Sequence, residues 1–265
     1  MDSTEPRIKF FCRSFDLKLY RISKATYEGL GYSCIRLTDQ SADGYFFTML
    51  EDTDCDIAVN VDEDAFVTDP EAVMDLVKKV WAEGYANAGY SDGDKATTGR
   101  DKLVTNPFFN ILNLKLIRSK FNKSLLVRSY TDAEPYYPFF RWMAGEFKTL
   151  YLPCRRHQDG ITTIAEDTEG RTVCLHTWFS RFYSMPSLIV RRIEPQQGMQ
   201  KERIDAVINE VYHKRNLPGP DFNPADRFIF ILDKTVRWVV KIPQRISRWP
   251  YKLKRRFARK KLISA

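Results

Sequence analysis

The stretch Cys55-Asp56-Ile57-Ala58-Val59-Asn60-Val61-Asp62-Glu63-Asp64 decides the fold, because an apolar run ends abruptly in three acids. Its apolar and β-branched residues predict a buried strand. Asp69-Pro70-Glu71 follows closely and predicts the start of a helix, since Asp caps helices and Pro favours their first position. A buried strand that leads into a helix is the repeating unit of α/β proteins.

Strands and helices alternate on both sides of this stretch. Ile8 to Cys12 predicts a first strand, and helical spacing follows from Asp16 to Leu30. The pattern predicts an α/β fold with a mixed, mostly parallel sheet flanked by helices. Ligands of such sheets bind at the carboxyl ends of the strands, which is where the three acids stand. Further strands are predicted at Cys34 to Leu37, Ala86 to Tyr90, Thr149 to Cys154, Ile161 to Ala165 and Thr172 to Leu175.

Two polar clusters at strand ends are candidates for a metal site. Asp62 and Asp64 offer carboxylates of the kind that Mg²⁺ or Mn²⁺ prefers and often shares with substrate phosphates. The alternative is an acidic turn in solvent, since Asp is common where strands stop. His176 directly follows another predicted strand and would complete a cation site, the alternative being a core histidine bonded to backbone.

The length and cysteine content place limits on the class of protein. A chain of 265 residues can form one domain of about 200 residues plus an appendage. Its first residues lack the pattern of a signal peptide, and no apolar run is long enough to predict a membrane span. Five cysteines without a C-x-x-C pair predict reduced thiols in a cytoplasmic protein.

The net charge of +8 hides an uneven distribution. Lys234 to Lys261 contains 12 basic residues and no acid, so the remainder of the chain is mildly acidic. Within Phe228 to Ile242 the cations share one helical face and most apolar residues lie opposite. We therefore expect a catalytic domain over residues 1–215, and a linker with a basic amphipathic segment over 216–265 that binds an anionic membrane surface. The alternatives are docking on the catalytic domain and binding of nucleic acid, which is less favoured.

The motifs resemble those of glycosyltransferases with the GT-A fold. Val61-Asp62-Glu63-Asp64 is similar to their D-x-D motif. Phe108 to Leu114, with Arg118, is similar to a shortened F-N-x-G-x-L segment of the galactosyltransferase/glycogenin-like (family 8) hexosyltransferases. His157-Gln158-Asp159 resembles the D-Q-D motif of that family, and His176 stands where its members place a late metal-binding histidine.

The resemblance implies a nucleotide-sugar donor, a Mn²⁺ or Mg²⁺ ion and transfer of a hexose. On this hypothesis the metal ligands are Asp62, Asp64 and His176. The donor contacts would be Asp62, Asn110 and Arg181, and the catalytic residues Asp159, Gln158 and Glu166. The basic segment suggests a glycolipid or polysaccharide acceptor at the membrane surface. The family's H-x-x-G-x-x-K-P-W segment and the Gly of its F-N-x-G segment are absent, so the donor and the stereochemistry stay open.

Two other classes of function remain. A sugar nucleotidyltransferase would share the metal and the fold class, but it would be favoured by a Gly-rich phosphate loop near the first strand, and none is present. A non-enzymatic nucleic-acid-binding protein would use the basic tail, with the acidic triplet as a simple turn.

Overall fold

The computed structural model describes residues 5–38, 43–127, 132–180, 183–184, 200–220 and 232. Strands and helices are numbered along the chain. The central sheet contains six strands: β1 (Ile8–Arg13), β2 (Ser33–Leu37), β3 (Ile57–Val61), β5 (Asn87–Ser91), β6 (Thr105–Asn113) and β7 (Thr149–Leu152).

The central sheet has the order β2-β1-β3-β6-β5-β7. β1 pairs in parallel with β2 and β3, and β5 pairs in parallel with β7. Only β6 among these strands is reversed, since it runs antiparallel to both β3 and β5. The prediction of an α/β fold with a mixed sheet flanked by helices is confirmed.

A second, antiparallel sheet was not predicted. It consists of β4 (Ala65–Val67), β8 (Cys154–Arg156), β9 (Thr163–Glu166) and β10 (Thr172–His176). Its order is β4-β10-β9-β8. The prediction of one strand from Thr149 to Cys154 was wrong, because the chain leaves β7 at Leu152 and enters the second sheet at Cys154. Pro153, between them, has no N–H to donate to either ladder.

The described helices are α1 (Leu17–Ala25), α2 (Gly44–Glu51), α3 (Pro70–Ala82), α4 (Leu114–Arg118), α5 (Tyr137–Glu146) and α6 (Gln200–Lys214). Short 3-10 turns cover Glu28–Leu30 and Lys123–Leu125. The predicted start of α3 is confirmed, because the Asp69 carboxylate accepts the Ala72 N–H at 3.0 Å. The first helix is shorter than predicted and ends at Ala25.

The two faces of the central sheet bury different cores. Ile57, Val59 and Val61 of β3 pack with residues of α3 and the second sheet. Ala58, which points to the opposite face, packs with residues of α2, α4 and α5. A third core lies between the second sheet and the helices α1 and α6. Every residue of β3 is buried, as its apolar sequence predicts.

The second sheet brings the two predicted polar clusters together. The acidic triplet connects β3 of the central sheet to β4 of the second. β10 lies beside β4 in antiparallel register, with His176 opposite Ala65. The carboxyl ends of β3 and β10 therefore meet at one place, although they are far apart in the sequence.

The predicted basic segment of residues 216–265 lies outside the described residues, apart from 216–220 and Leu232. Arg181, a predicted donor contact, also lies outside them. Within the described part of the chain, no helix has both the length and the apolar character needed to cross a membrane.

Candidate functional site

The acidic triplet forms a buried turn between the two sheets. The Ala65 N–H donates to the Asp62 carbonyl at 3.0 Å, and the Asp62 N–H donates to the Phe108 carbonyl at 2.9 Å. Glu63 and Asp64 are only 6% and 7% exposed. The alternative of an acidic turn in solvent was therefore wrong. Burial of an ionised acid costs free energy unless hydrogen bonds or opposite charges stabilise it, and the three acids differ in the partners that they have.

Asp64 is paired with His176. Asp64 Oδ1 lies 3.2 Å from His176 Nε2, and the Asp64 carboxylate also accepts a hydrogen bond from Ser180. Burial by itself would raise the pKa of Asp64, but His176 and Ser180 outweigh it and lower that pKa below its usual value. Asp64 is thus held as a carboxylate beside an imidazole.

Asp62 is less well satisfied. Its Oδ2 lies 3.5 Å from Arg13 Nη2. Its Oδ1 is buried and has no hydrogen-bond partner among the described residues. Burial raises the pKa of Asp62 well above its usual value, an effect that Arg13 opposes and the charge of Asp64 reinforces. A buried carboxylate oxygen without a partner is costly, and a ligand that binds it would remove the cost.

Glu63, the middle acid, points away from this pair. Its Oε2 accepts hydrogen bonds from Ser14 Oγ at 2.9 Å, from the Phe15 N–H at 2.8 Å and from the Asp16 N–H at 2.6 Å. Burial and the nearby Asp16 raise the pKa of Glu63 to about 8. Glu63 therefore ties the loop after β1 to the acidic turn and has a structural role.

Aromatic rings fix the orientation of His176. Its ring stacks on Phe108 with centroids 4.5 Å apart, and the Trp178 ring lies 4.2 Å away on a tilted plane. His176 Nδ1 is buried without a partner among the described residues. The alternative of a core histidine bonded to backbone was wrong, because the partner of its Nε2 is the Asp64 carboxylate.

Asp159, a predicted catalytic residue, is held by several donors. Its carboxylate accepts hydrogen bonds from the Ile161 N–H at 2.9 Å, the Thr162 N–H at 2.8 Å and Arg203 Nη1 at 3.2 Å. Burial by itself would raise the pKa of Asp159. These bonds and the one from the Thr162 hydroxyl outweigh burial and lower that pKa far below its usual value. A carboxylate bound in this way is a weak base and stabilises its own loop, while its catalytic role stays a prediction.

The other predicted site residues lie in different surroundings. Gln158 is exposed. Glu166 Oε1 accepts a hydrogen bond from Arg155 Nε at 2.7 Å. Asn110 is fully buried within the central sheet and donates to Thr105 Oγ1 at 2.9 Å. Gly89 leaves room for it, since a Cβ there would lie 2.4 Å from Asn110 Nδ2. These contacts give Asn110 a packing role, and its contact with a nucleotide-sugar donor stays a prediction.

The side chains of Asp62, Asp64 and His176 fit a divalent cation in two respects. Asp62 provides a carboxylate oxygen that no other described residue hydrogen-bonds. Asp64 Oδ1 and His176 Nε2 are 3.2 Å apart, close to the separation of about 3 Å between adjacent ligands that each lie about 2.1 Å from one metal. The described residues contain no group of three or more His, Cys, Asp or Glu side chains arranged around one metal position. Water or substrate oxygens would complete the coordination of a cation held here.

Two residues of this region were missed by the sequence analysis. Arg13, the last residue of β1, lies beside Asp62, with its guanidinium 5.1 Å from the centre of the Tyr45 ring. Arg203, on α6, contacts the chain immediately after His176. A cation at the end of the first predicted strand was a usable signal for Arg13. No local pattern marks Arg203, because only the folded chain brings α6 to the site.

Comparisons with known proteins give no family for this chain. No family model and no curated protein matches it. Among solved structures, protein A197 from STIV is similar with a TM-score of 0.40 and 15% identity, over 63% of this chain and 93% of that chain. A cytidylyltransferase from Leptospira borgpetersenii is similar with a TM-score of 0.39 and 12% identity, over 79% of this chain and 97% of that chain.

Proposed function

We propose that this protein is a metal-dependent glycosyltransferase that takes a sugar from a nucleoside-diphosphate donor. The observation that carries the proposal is the buried Asp64–His176 pair, which the register of β4 and β10 places at the acidic turn that also carries Asp62. Asp64 and His176 provide two donors of the kind that Mn²⁺ or Mg²⁺ binds, and Asp62 provides a carboxylate oxygen that has no hydrogen-bond partner among the described residues.

Each residue of the site has a distinct role in this proposal. Asp64 and His176, with Asp62, would hold the cation, and a cation bound there would supply positive charge to offset that of the leaving diphosphate. Arg13 lies beside Asp62 and adds positive charge near the same position. Phe108 and Trp178 hold the imidazole ring in place, so that its Nε2 stays directed at Asp64.

The loop after β1 favours sugar transfer over nucleotidyl transfer. A nucleotidyltransferase of the kind considered above would bind triphosphate with free backbone N–H groups in that loop. Here the N–H groups of Phe15 and Asp16 both donate to Glu63. A phosphate would have to displace the buried carboxyl group of Glu63 from these N–H groups, so the loop is poorly suited to such a role.

The proposed acceptor is inferred from a different part of the chain. The prediction of a glycolipid or polysaccharide acceptor, and of binding to an anionic membrane surface, depends on the basic segment that lies outside the described residues. We keep both as parts of the proposal. Binding of the full chain to vesicles that contain anionic lipid, and loss of binding after deletion of residues 221–265, would support them; equal binding by the shortened chain would contradict them.

The test of the proposed function is a product assay with nucleotide sugars. The full chain is incubated with Mn²⁺ and each of a panel of UDP-, GDP-, CDP- and ADP-sugars, and the released nucleotide is identified. Release of a nucleoside diphosphate from one donor, dependent on Mn²⁺, is the expected result. Consumption of a nucleoside triphosphate and a sugar phosphate with release of pyrophosphate would instead establish nucleotidyl transfer.

Mn²⁺ binding is expected to depend on pH because of Asp62. Burial raises its pKa, so the proton is taken up at a higher pH than the value of about 3.9 for an ordinary Asp. Metal ligands must be deprotonated, so the affinity for Mn²⁺ falls as the pH is lowered through the mildly acidic range. Titration of Mn²⁺ at a series of pH values measures this. An affinity that stays constant down to about pH 4 would contradict the role of Asp62.

A further inference from the structure

The structure assigns a positioning role to Arg203 of α6, which we propose holds the segment Thr177-Trp178-Phe179 and thereby keeps His176 directed at the metal position. This inference rests on the proposed function, since it concerns the same Mn²⁺ site. On this inference the metal site also requires α6, a helix that lies far along the chain from the acidic turn.

The Arg203 guanidinium connects three parts of the chain. Its Nη2 donates to the carbonyl oxygens of Thr177 and Trp178, the second at 3.2 Å. Its Nη1 donates to Asp159 Oδ2 at 3.2 Å and to Thr162 Oγ1 at 2.7 Å. The side chain is only 13% exposed. The planar fork of Arg can reach both carbonyls and the carboxylate at once, which a Lys ammonium cannot reproduce.

The segment that Arg203 holds is strained. Trp178 and Phe179 have φ angles of 58° and 55°, in the left-handed region that residues with a Cβ rarely adopt. Such a conformation is unfavourable and persists only where surrounding contacts enforce it. The contacts here are the two bonds from Arg203 and the bond from Trp178 Nε1 to Thr163 Oγ1 at 2.8 Å. Loss of Arg203 would let the segment relax.

Relaxation of this segment would reach both members of the Asp64–His176 pair. The Trp178 ring lies 4.2 Å from the His176 ring and covers one side of it. The Thr177 N–H donates to the Asp64 carbonyl at 3.0 Å. Supporting contacts of metal ligands typically affect metal affinity by 10–100-fold. We therefore expect Arg203 to act on Mn²⁺ affinity without touching the metal.

The test compares two arginines that anchor the same helical region to carbonyl oxygens. Arg215, just beyond α6, donates to the carbonyls of Thr26 and Val67, and not to the segment after His176. Mn²⁺ affinity of the full chain is measured by electron paramagnetic resonance of free Mn²⁺. Arg203→Gln is expected to weaken Mn²⁺ binding about 10–100-fold, and Arg215→Gln to leave it within about twofold of wild type, although both lower the melting temperature.

Two further variants distinguish a specific loss of Mn²⁺ binding from a general loss of folding. Arg203→Lys keeps the charge but not the fork, so its Mn²⁺ affinity should lie between those of wild type and Arg203→Gln. Methylguanidinium added to Arg203→Ala should recover part of the lost affinity. Mn²⁺ binding that is equal in wild type and Arg203→Gln, or equally weakened by Arg215→Gln, would overturn the inference alone. Absence of Mn²⁺ binding by wild type would overturn the proposed function and this inference with it.

Discussion

Asp64→Asn is expected to lower Mn²⁺-dependent sugar transfer on the order of 10³-fold or more, the largest effect of any single change considered. Asn matches the shape of Asp and can still accept a hydrogen bond from Ser180 or His176. It removes the charge that attracts a cation and the anionic oxygen that would bind it. Steady-state kinetics with the donor identified by the panel measures the effect, and the melting temperature should change little.

Asp56→Asn is the matched control for that variant. Asp56 precedes the same strand at its opposite end, and its carboxylate pairs with Arg7 Nε at 2.9 Å. This change also exchanges Asp for Asn and removes an ion pair, but it lies at the amino end of β3, away from the acidic turn. Activity of Asp56→Asn should match that of wild type. If Asp64→Asn were as active as Asp56→Asn, Asp64 would not be a metal ligand of the active site.

Glu63→Ala is expected to have the largest effect on stability, with a loss of about 3 kcal/mol in the free energy of unfolding. The loss arises because the N–H groups of Phe15 and Asp16 and the hydroxyl of Ser14 would all lose their shared acceptor. Removal of one partner of a buried hydrogen bond costs about 1–3 kcal/mol. Urea denaturation of the purified variant, followed by circular dichroism, measures the change.

The control for Glu63→Ala is Glu71→Ala. Glu71 is exposed in the first turn of α3, where an acid contributes at most about 1 kcal/mol through the helix dipole. A Glu63→Ala variant no less stable than Glu71→Ala would show that Glu63 does not anchor the loop after β1. Such a result would also make the N–H groups of that loop candidates for binding a phosphate.

The sequence predicts the position of the acidic triplet and of His176 because each follows a strand with a clear apolar pattern. A buried strand can be recognised locally, and so can the polar residues at its end. The pairing of Asp64 with His176 could not be derived in the same way. It depends on the antiparallel register of β4 and β10, strands that are separated by more than a hundred residues.

The different roles of three adjacent acids were also beyond the sequence. Asp62, Glu63 and Asp64 are chemically alike, and the turn that they form sends their side chains in different directions. Glu63 binds the loop after β1, which is a contact across 47 residues in the case of Asp16. The second sheet was missed for a related reason, since its strands are short and the break at Pro153 separates two strands that read as one.

The central claim is that the turn at Asp62–Asp64 and His176 binds a metal ion together with a nucleoside diphosphate. Isothermal titration calorimetry of the full chain with UDP, GDP, CDP and ADP, in the presence and absence of Mn²⁺, tests it most directly. The account predicts that one nucleotide binds wild type only with Mn²⁺ and fails to bind Asp64→Asn under the same conditions. Nucleotide binding that is unaffected by Mn²⁺ and by Asp64→Asn, or no binding of Mn²⁺ by the folded wild-type protein, would contradict the account.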